Sequence, residues 1–238
     1  MKMKKLLAVL LAALMMLTLF AGCGDKSGND SKKDDTSKSE NVNEDEETTK
    51  PIDSDNQNDD NDTSSADTLR GTIVGNTYTN DFAGIKFTKH KDWTFASDAD
   101  LAQLLGIVSD GFGYDFEAAL EKTGSIIDVM ASFPGGSPNF QVTIENLSVQ
   151  SLENLTEEEY IQLLRQQVSA LNSSYTFGDA YEKELCGETY TVAEASATYG
   201  TTEVLQRYYL RKQGNYMIGI TMSASTENSF ETMENFFE

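Results

Sequence analysis

The sequence predicts an α+β domain in which helices flank an antiparallel sheet. Segments with the two-residue alternation of strands come in groups joined by short turns, and segments with the helical period fall between these groups. Along the chain the order is strands, helices, a hairpin, a helix, long hairpins and a final helix. Such an order is typical of an antiparallel sheet covered by helices.

The domain is predicted to open with short strands and two short helices. Strands are expected at residues 72–78, 85–88 and 93–95, between turn residues. A first helix should begin near Ser97, because Asp100 three residues later completes a capping-box pattern, and should end by Gly106. A second helix fits residues 115–122.

A hairpin is predicted in the middle of the domain. Strand residues at 126–133 precede the turn cluster "PGGSPN" at 134–139. The next strand alternates apolar and polar side chains, which predicts that only one of its faces is buried. Its apolar members are Phe140, Val142 and Ile144, and its polar members are Gln141, Thr143 and Glu145.

The strongest helical pattern covers residues 156–171. Thr156 and Glu159 form a capping-box pattern at its start, and Leu155 and Tyr160 have the spacing of a hydrophobic staple. One apolar stripe follows at helical spacing and predicts the face that packs on the sheet. It consists of Ile161, Leu164, Val168 and Leu171.

Long hairpins are predicted in the last third of the chain. Strands are expected at residues 181–185, 189–198, 203–212 and 216–223, with "QGN" at 213–215 as a tight turn because Gly214 permits a positive φ. A last helix should start after Thr226, with Phe230, Met233 and Phe237 on one face.

Two stretches carry a resemblance to a known family. The segment "GIKFTKHKDWTF" at 84–95 and the ending "YYLRKQGNYMIGITMSASTENSFETMENFFE" at 208–238 resemble the PsbP/Mog1-like domain of exported bacterial lipoproteins, over about residues 71–238. The proline of the family's usual Pro-x-x-Trp is absent before Trp93. The resemblance implies an α/β/α sandwich and a role in binding or assembly rather than catalysis. It implies no particular site residue.

The first residues have the pattern of a bacterial export signal. Lys2, Lys4 and Lys5 precede an apolar run over residues 6–21. Ala21, Gly22 and Cys23 resemble the lipobox of bacterial lipoproteins. The resemblance implies cleavage between Gly22 and Cys23, a thioether from the Cys23 sulfur to diacylglycerol, and acyl chains such as palmitate on this lipidated cysteine. The alternatives are an ordinary signal peptide or a membrane helix that contains a cysteine.

Residues 23–68 are predicted to be a disordered acidic tether between this anchor and a single globular domain at 69–238. Residues 24–68 contain 15 acidic and 5 basic residues and no aromatic residue, so they cannot bury enough apolar surface to fold. Calcium binding at 53–62 is the alternative interpretation. It is disfavoured because Asn58 and Ser64 occupy the positions where an EF-hand loop needs glycine and glutamate.

Charge and cysteine content restrict the partners. The formal net charge of −21 repels nucleic acid and anionic lipid headgroups, so we expect no nucleic-acid partner, and the membrane should be reached only through lipid on Cys23. With Cys23 acylated, Cys186 is left without an intrachain partner. Such a lone thiol is most often a small buried apolar group, and a reactive thiol is the alternative.

No catalytic, metal or cofactor motif is evident. His90 is the single histidine and lies between Lys89 and Lys91, in a segment that should be exposed. One histidine and one free cysteine cannot make a zinc site, and no phosphate-binding loop follows Gly113. Other candidate groups are expected to be solvated acids, a core tryptophan and three tyrosines of the sheet face under a helix. They are Glu157–Glu159, Glu182, Glu184, Trp93, Tyr208, Tyr209 and Tyr216. A ligand groove lined by the tyrosines is the alternative.

Three classes of function remain after this search. The first is a lipid-anchored binding or assembly module on the outer face of the bacterial cytoplasmic membrane, with an unknown protein or small ligand as its partner. The second is a surface hydrolase that uses two carboxylates. The third is the solute-binding receptor of a transporter, which would need two lobes around a cleft. The first is favoured, so we expect no enzymatic activity and no cofactor.

Overall fold

The computed structural model describes residues 69–105 and 116–238, which form an α+β fold. In chain order the elements are β1 (Thr72–Val74), β2 (Thr77–Asn80), β3 (Ile85–Thr88), β4 (Thr94–Phe95), α1 (Asp98–Leu105), α2 (Phe116–Thr123), β5 (Ser125–Ser132), β6 (Asn139–Asn146), α3 (Glu157–Leu171), β7 (Thr176–Phe177), β8 (Tyr181–Leu185), β9 (Glu188–Tyr199), β10 (Thr202–Gln213), β11 (Tyr216–Ala224) and α4 (Asn228–Glu234). A 3-10 helix, Leu147–Gln150, follows β6. The predictions for the export signal, Cys23, the tether and residues 106–115 lie outside the described residues.

The strands are antiparallel, as the sequence predicts, but they form two sheets where the sequence predicts one. A small sheet has the order β1-β2-β3, and a large sheet has the order β4-β5-β6-β11-β10-β9-β7, with β8 also paired to β9. The turn between β10 and β11 has Gly214 at φ 58°, the conformation expected of it. The long hairpins β9–β10 and β10–β11 therefore build one half of the large sheet.

Both faces of the large sheet are covered. Helix α3 places its apolar stripe on one face, where Ile161, Leu164 and Val168 share a cluster with Tyr208 and Met217. The opposite face carries a second cluster that includes the small sheet and α4. Its larger members include Tyr78, Phe87, Trp93, Phe140, Tyr190, Tyr209 and Phe230. The predicted antiparallel sheet flanked by helices is confirmed.

Two predicted helix starts are present. The Ser97 and Asp100 side chains bond to each other's backbone N–H groups before α1. Thr156 and Glu159 do the same before α3, in a complete capping box. These side chains satisfy N–H groups that have no partner within the helix, so they fix where each helix begins.

The prediction for β6 is wrong on one face. Gln141, Thr143 and Glu145 are 0, 8 and 3% exposed, so the polar face is buried as well as the apolar one. The physical reason is that β6 is a central strand, between β5 and β11, in a sheet with both faces covered. Such a strand tolerates polar side chains when they find hydrogen bonds, as Glu145 does with Tyr160.

The predicted first strand, 72–78, is in fact a hairpin. Gly75 has φ 62° and turns the chain between Val74 and Thr77, which face each other in the β1–β2 register. The final helix also ends earlier than predicted. Phe237 lies beyond it and forms an isolated bridge with Phe87 of β3.

Candidate functional site

A buried carboxylate on β5 joins the opening hairpin to the large sheet. Asp128 sits where the register between β5 and β6 shifts, between Ile127 and Val129, and its side chain is 0% exposed. Such a shift re-aims a side chain relative to a regular strand. Oδ2 of Asp128 accepts hydrogen bonds from the Tyr78 hydroxyl, from Asn80 Nδ2 at 2.6 Å and from the Gly71 N–H at 2.8 Å. We call these four residues the Asp128 clamp.

The clamp is tightened by a glycine and by an amide. A Cβ on Gly71 would lie 2.4 Å from the Tyr78 ring, so only glycine lets the backbone reach the carboxylate here. Asn80 also donates to the Leu69 carbonyl at 2.8 Å and accepts from the Ala83 N–H at 2.7 Å. The Asn80 amide therefore connects Leu69, which precedes β1, to Ala83, which follows β2.

The Tyr78 hydroxyl is protonated at neutral pH, because its pKa is raised well above the ordinary 10. Burial raises its pKa well above the usual value, and the Asp128 carboxylate raises the pKa further. Tyr78 is therefore a hydrogen-bond donor to Asp128 at neutral pH.

A cavity of about 560 Å³ lies beside the clamp. Its wall combines charged and polar groups with a smaller apolar part. The residues that line it include Arg70, Ile73, Ala96, Asp98, Leu101 and Asp128.

The charged groups of the cavity are close together without bonding directly. Arg70 Nε is 3.9 Å from Asp128 Oδ1, and Arg70 Nη2 is 3.7 Å from Asp98 Oδ1. Both distances exceed that of a hydrogen bond. The buried atoms Nε and Oδ1 of the first pair have no hydrogen-bond partner among the described residues. The Arg70 guanidinium carbon lies 3.3 Å from the ring centroid of Phe116, which holds the guanidinium in place.

A second buried carboxylate, Glu145, lies outside this cavity. It accepts hydrogen bonds from the Tyr160 hydroxyl at 2.5 Å and from Gln150 Nε2 at 3.2 Å. Burial raises the pKa of Glu145 to about 7, although the bond from Tyr160 acts in the opposite direction. This group links β6 to α3 and to the 3-10 helix, and its role is structural.

The C-terminal half carries a charged network of its own. Arg207 contacts Glu194 at 2.8 Å, Glu227 at 3.0 Å and Glu234 at 3.0 Å, and it lies over the Phe230 ring. Lys183 also pairs with Glu234, at 2.7 Å. Each of these three carboxylates is engaged by Arg207, so the network attaches α4 to the sheet.

The residues that the sequence singles out are not brought together. The His90 side chain is 57% exposed, as expected, and its Nδ1 lies 3.2 Å from the Asp92 carboxylate. Trp93 is in the core, while Glu182 and Glu184 are exposed. Cys186 is half-buried against the core, and burial raises the pKa of its thiol.

The three tyrosines of the last strands do not form a common groove. Tyr208 packs in the cluster under α3, and Tyr209 packs in the cluster on the opposite face of the sheet. Tyr216 makes an edge contact with Phe82. Their predicted role as aromatics of the sheet faces is confirmed for Tyr208 and Tyr209, which are 2% and 0% exposed.

Within residues 69–105 and 116–238, no cluster of histidine, cysteine and acidic side chains has an arrangement that could hold a metal ion. In the same part of the chain, every helix is too short or too polar to cross a bilayer.

The cavity residues were missed by reasoning from the sequence. Asp128 is the single charge in the apolar strand "SIIDVMAS", and that was the available signal. Arg70 carried no signal, because it stands at the edge of the acidic segment.

Comparisons with known proteins show that the structure of this chain is similar to several solved structures. The chain is similar to cyanobacterial PsbP (CyanoP) from Synechocystis, with 13% identity and a TM-score of 0.41 over 68% of this chain and 90% of that one. It is similar to LpqN of Mycobacterium tuberculosis, described as involved in cell envelope biogenesis, with 12% identity and a TM-score of 0.35 over 63% and 76% of the two chains. A protein from Bacteroides thetaiotaomicron aligns with 14% identity and a TM-score of 0.38, over 70% of this chain and 48% of that one. No protein-family model and no curated protein matches the chain.

Proposed function

We propose that this protein is a non-catalytic binding module that takes a small ligand in the cavity beside the Asp128 clamp. The observation that carries the proposal is the cavity itself: about 560 Å³, with the partly exposed Arg70 and Asp98 side chains and the apolar Ile73, Ala96 and Leu101 in its wall. A concave site of this size, with a few charged groups beside apolar side chains, can hold and orient a small ligand.

The location in this proposal rests on the sequence. The lipobox-like Ala21-Gly22-Cys23 supports acylation of Cys23 and attachment to the outer face of the cytoplasmic membrane. Two or three acyl chains on one cysteine would hold the protein stably to a bilayer. The net charge of −21 argues against nucleic acid as a partner.

A hydrolase with two carboxylates is the second candidate, because Asp98 and Asp128 both line the cavity. Three donors already occupy Asp128 Oδ2, which suits a fixed anchor more than a group that must exchange protons or attack a substrate. His90 and Cys186 do not line the cavity. Binding is therefore the better assignment for this site.

The test blocks the cavity from an exposed position. Ile73 is 45% exposed and lines the cavity, so Ile73→Trp should fill its mouth without disturbing the core. Val74 is the next residue of the same strand, is 77% exposed and does not line the cavity, so Val74→Trp is the matched control.

A small-molecule library is screened by ligand-observed NMR against the wild type and both variants. We expect compounds whose binding Ile73→Trp abolishes and Val74→Trp preserves. If no compound shows this pattern, the cavity is not a binding site. Turnover of a bound compound would instead favour the hydrolase.

A further inference from the structure

We propose that the outer edge of β8 binds an extended, basic segment of a partner protein, which adds to the large sheet as a further strand. This inference goes beyond the proposed function. It does not depend on the cavity, because no residue of β8 or β9 lines the cavity.

The outer edge of β8 is exposed and unpaired. This strand of five residues pairs with β9 on one side, and no described residue bonds to the backbone on its other side. Other exposed edges of the described sheets are shorter or covered. β4 and β7 have two residues each, β1 has three, and residues 236–238 bond to the free edge of β3. Free strand edges are where an extended chain can be added to a sheet.

The turn from β8 into β9 determines which backbone groups face outward. Cys186 and Gly187 have φ 55° and 73°, and a two-residue turn with positive φ at both positions is of type I′. The residues that flank such a turn exchange two hydrogen bonds, so the backbone groups of Leu185 face β9. Because these bonds alternate along an antiparallel pair, the N–H and C=O groups of Glu182 and Glu184 point away from β9. A partner strand therefore meets two donors and two acceptors at the spacing of a regular ladder.

The side chains of this edge select the charge of the partner. Glu182 and Glu184 are exposed, and they lie on one face of β8 because alternate residues of a strand share a face. Lys183 lies on the opposite face and is engaged by Glu234 at 2.7 Å. Residues of an added strand that face the two glutamates would have their Cβ atoms about 5 Å away, so lysine or arginine there forms favourable cross-strand pairs.

A second copy of this chain does not suit the edge. In an antiparallel pair of two β8 strands centred on Lys183, each Glu182 would lie opposite a Glu184, and like charges directly opposite each other are destabilising. The net charge of −21 adds repulsion between two copies at long range and attracts a basic chain. Charge therefore favours a basic segment of another protein.

The experiment adds short strands to the full chain and follows hydrogen exchange of single backbone amides by NMR. The probe is a heptapeptide of alternating lysine and valine with blocked ends. In one control peptide, glutamate replaces lysine. In the other, the lysine amides are methylated on nitrogen, which keeps the charge and removes the donors of the ladder.

We expect the amides of Glu182 and Glu184 to exchange rapidly in the free protein and to become protected when the lysine peptide binds. The Lys183 amide faces β9 and should be protected in both states. Neither control peptide should protect Glu182 and Glu184. The cavity variant Ile73→Trp should bind the lysine peptide as the wild type does, so this inference and the proposed function can fail separately.

Variants of β8 separate the charge from the backbone. The double variant Glu182→Gln with Glu184→Gln should weaken the lysine peptide about tenfold, because it loses two cross-strand charge pairs. Glu203→Gln, at an exposed acid of β10, is the matched control and should have no effect. Glu184→Pro also removes an outward N–H, so it should weaken binding more than Glu184→Gln alone. An edge strand accepts proline where its N–H faces solvent, and thermal melts check that this variant folds.

Four results would overturn the inference. The first is no protection of the Glu182 and Glu184 amides at millimolar lysine peptide. The second is equal affinity for the methylated peptide, which would show attraction to an acidic surface without strand addition. The third is unchanged affinity in the double glutamine variant, which would remove the basis for a basic partner. The fourth is a dimer in sedimentation with both amides protected without peptide, which would assign the edge to a second copy.

Discussion

At Asp128 the two oxygens of one carboxylate face different surroundings. Oδ2 is fixed by three donors from the opening hairpin and its approach, and Oδ1 faces Arg70 across 3.9 Å. Burying a carboxylate is costly unless it is hydrogen-bonded, and the three donors meet that requirement. The clamp therefore holds the charge in place, with its second oxygen buried beside the Arg70 guanidinium.

Replacing Gly71 tests how closely the clamp is packed. Gly71→Ala should lower the free energy of unfolding by about 1–3 kcal/mol, because the new methyl group would lie 2.4 Å from the Tyr78 ring and 2.7 Å from the Thr79 carbonyl oxygen. Urea titration measures the loss. Gly178→Ala is the control, since nothing lies within 4 Å of a Cβ there. Equal effects of the two substitutions would show that the close approach does not matter.

At the scale of elements, α3 is fixed to the large sheet by a polar contact as well as by apolar packing. Glu145 of β6 accepts from Tyr160 of α3 and from Gln150 of the 3-10 helix. Tyr160 is 4% exposed, and burial raises its hydroxyl pKa well above the usual value, so it stays a donor. The protonation of Glu145 therefore affects how much this contact stabilises the fold, because a buried charged carboxylate costs more free energy than a neutral one.

The stability of the domain should depend on the protonation of Glu145. The folded pKa of about 7 is above the ordinary 4.5, so the folded state holds an extra proton between these values. The resulting stability is present below pH 4.5 and is lost as the pH rises through 7. The difference across this window has an upper limit of about 3 kcal/mol.

Glu145→Gln removes this titration and keeps an acceptor for Tyr160. The wild type should therefore lose stability relative to Glu145→Gln as the pH rises from 4.5 to 7, measured by urea unfolding at several pH values. Glu182→Gln, at an exposed acid, should follow the wild type. A constant difference between the wild type and Glu145→Gln would disprove a titration of Glu145 in this range.

The sequence predicts a helix start or a turn well when the residues that determine it are neighbours in the chain. The capping residues Ser97 and Thr156 and the turn at Gly214 act on their own neighbours, so the sequence predicts them well. The burial of Gln141 is different, because alternation in one strand does not reveal what covers its polar face. The cavity needs still more: Arg70 and Asp128 meet only because a hairpin folds onto a strand far along the chain.

At the scale of the whole molecule, the site and the anchor are predicted to be separate parts. The cavity lies within the described domain, and the lipobox-like residues precede it by an acidic segment. Binding and attachment should then be separable by mutation.

Attachment should depend on one sulfur atom. Cys23→Ser should leave the protein without lipid, either uncut or released from the cell, because a serine hydroxyl cannot form the thioether to diacylglycerol. Partition into detergent and intact mass measure this outcome, and Cys186→Ser is the matched control. A Cys23→Ser protein that still carries acyl chains would disprove the lipobox interpretation.

The domain should fold without the segment before it. Residues 69–238 alone should unfold in one cooperative thermal transition, because the clusters that cover both faces of the large sheet lie within them. Calorimetry of this fragment and of the full chain should give similar midpoints. A broad, non-cooperative transition for the fragment would place the boundary elsewhere.

The pairing of β6 with β11 has a kinetic consequence. Asn146 pairs with Tyr216 and Asn139 pairs with Ser223. These two strands are far apart in the sequence, so the middle of the sheet forms only after the long chain between them has been brought together. Contacts between distant residues slow folding, since the entropy of closing the loop must be overcome before the contacts form. A chain that folds slowly stays unfolded for longer. This would suit the export that the first residues predict, because a translocase takes an unfolded chain through the membrane.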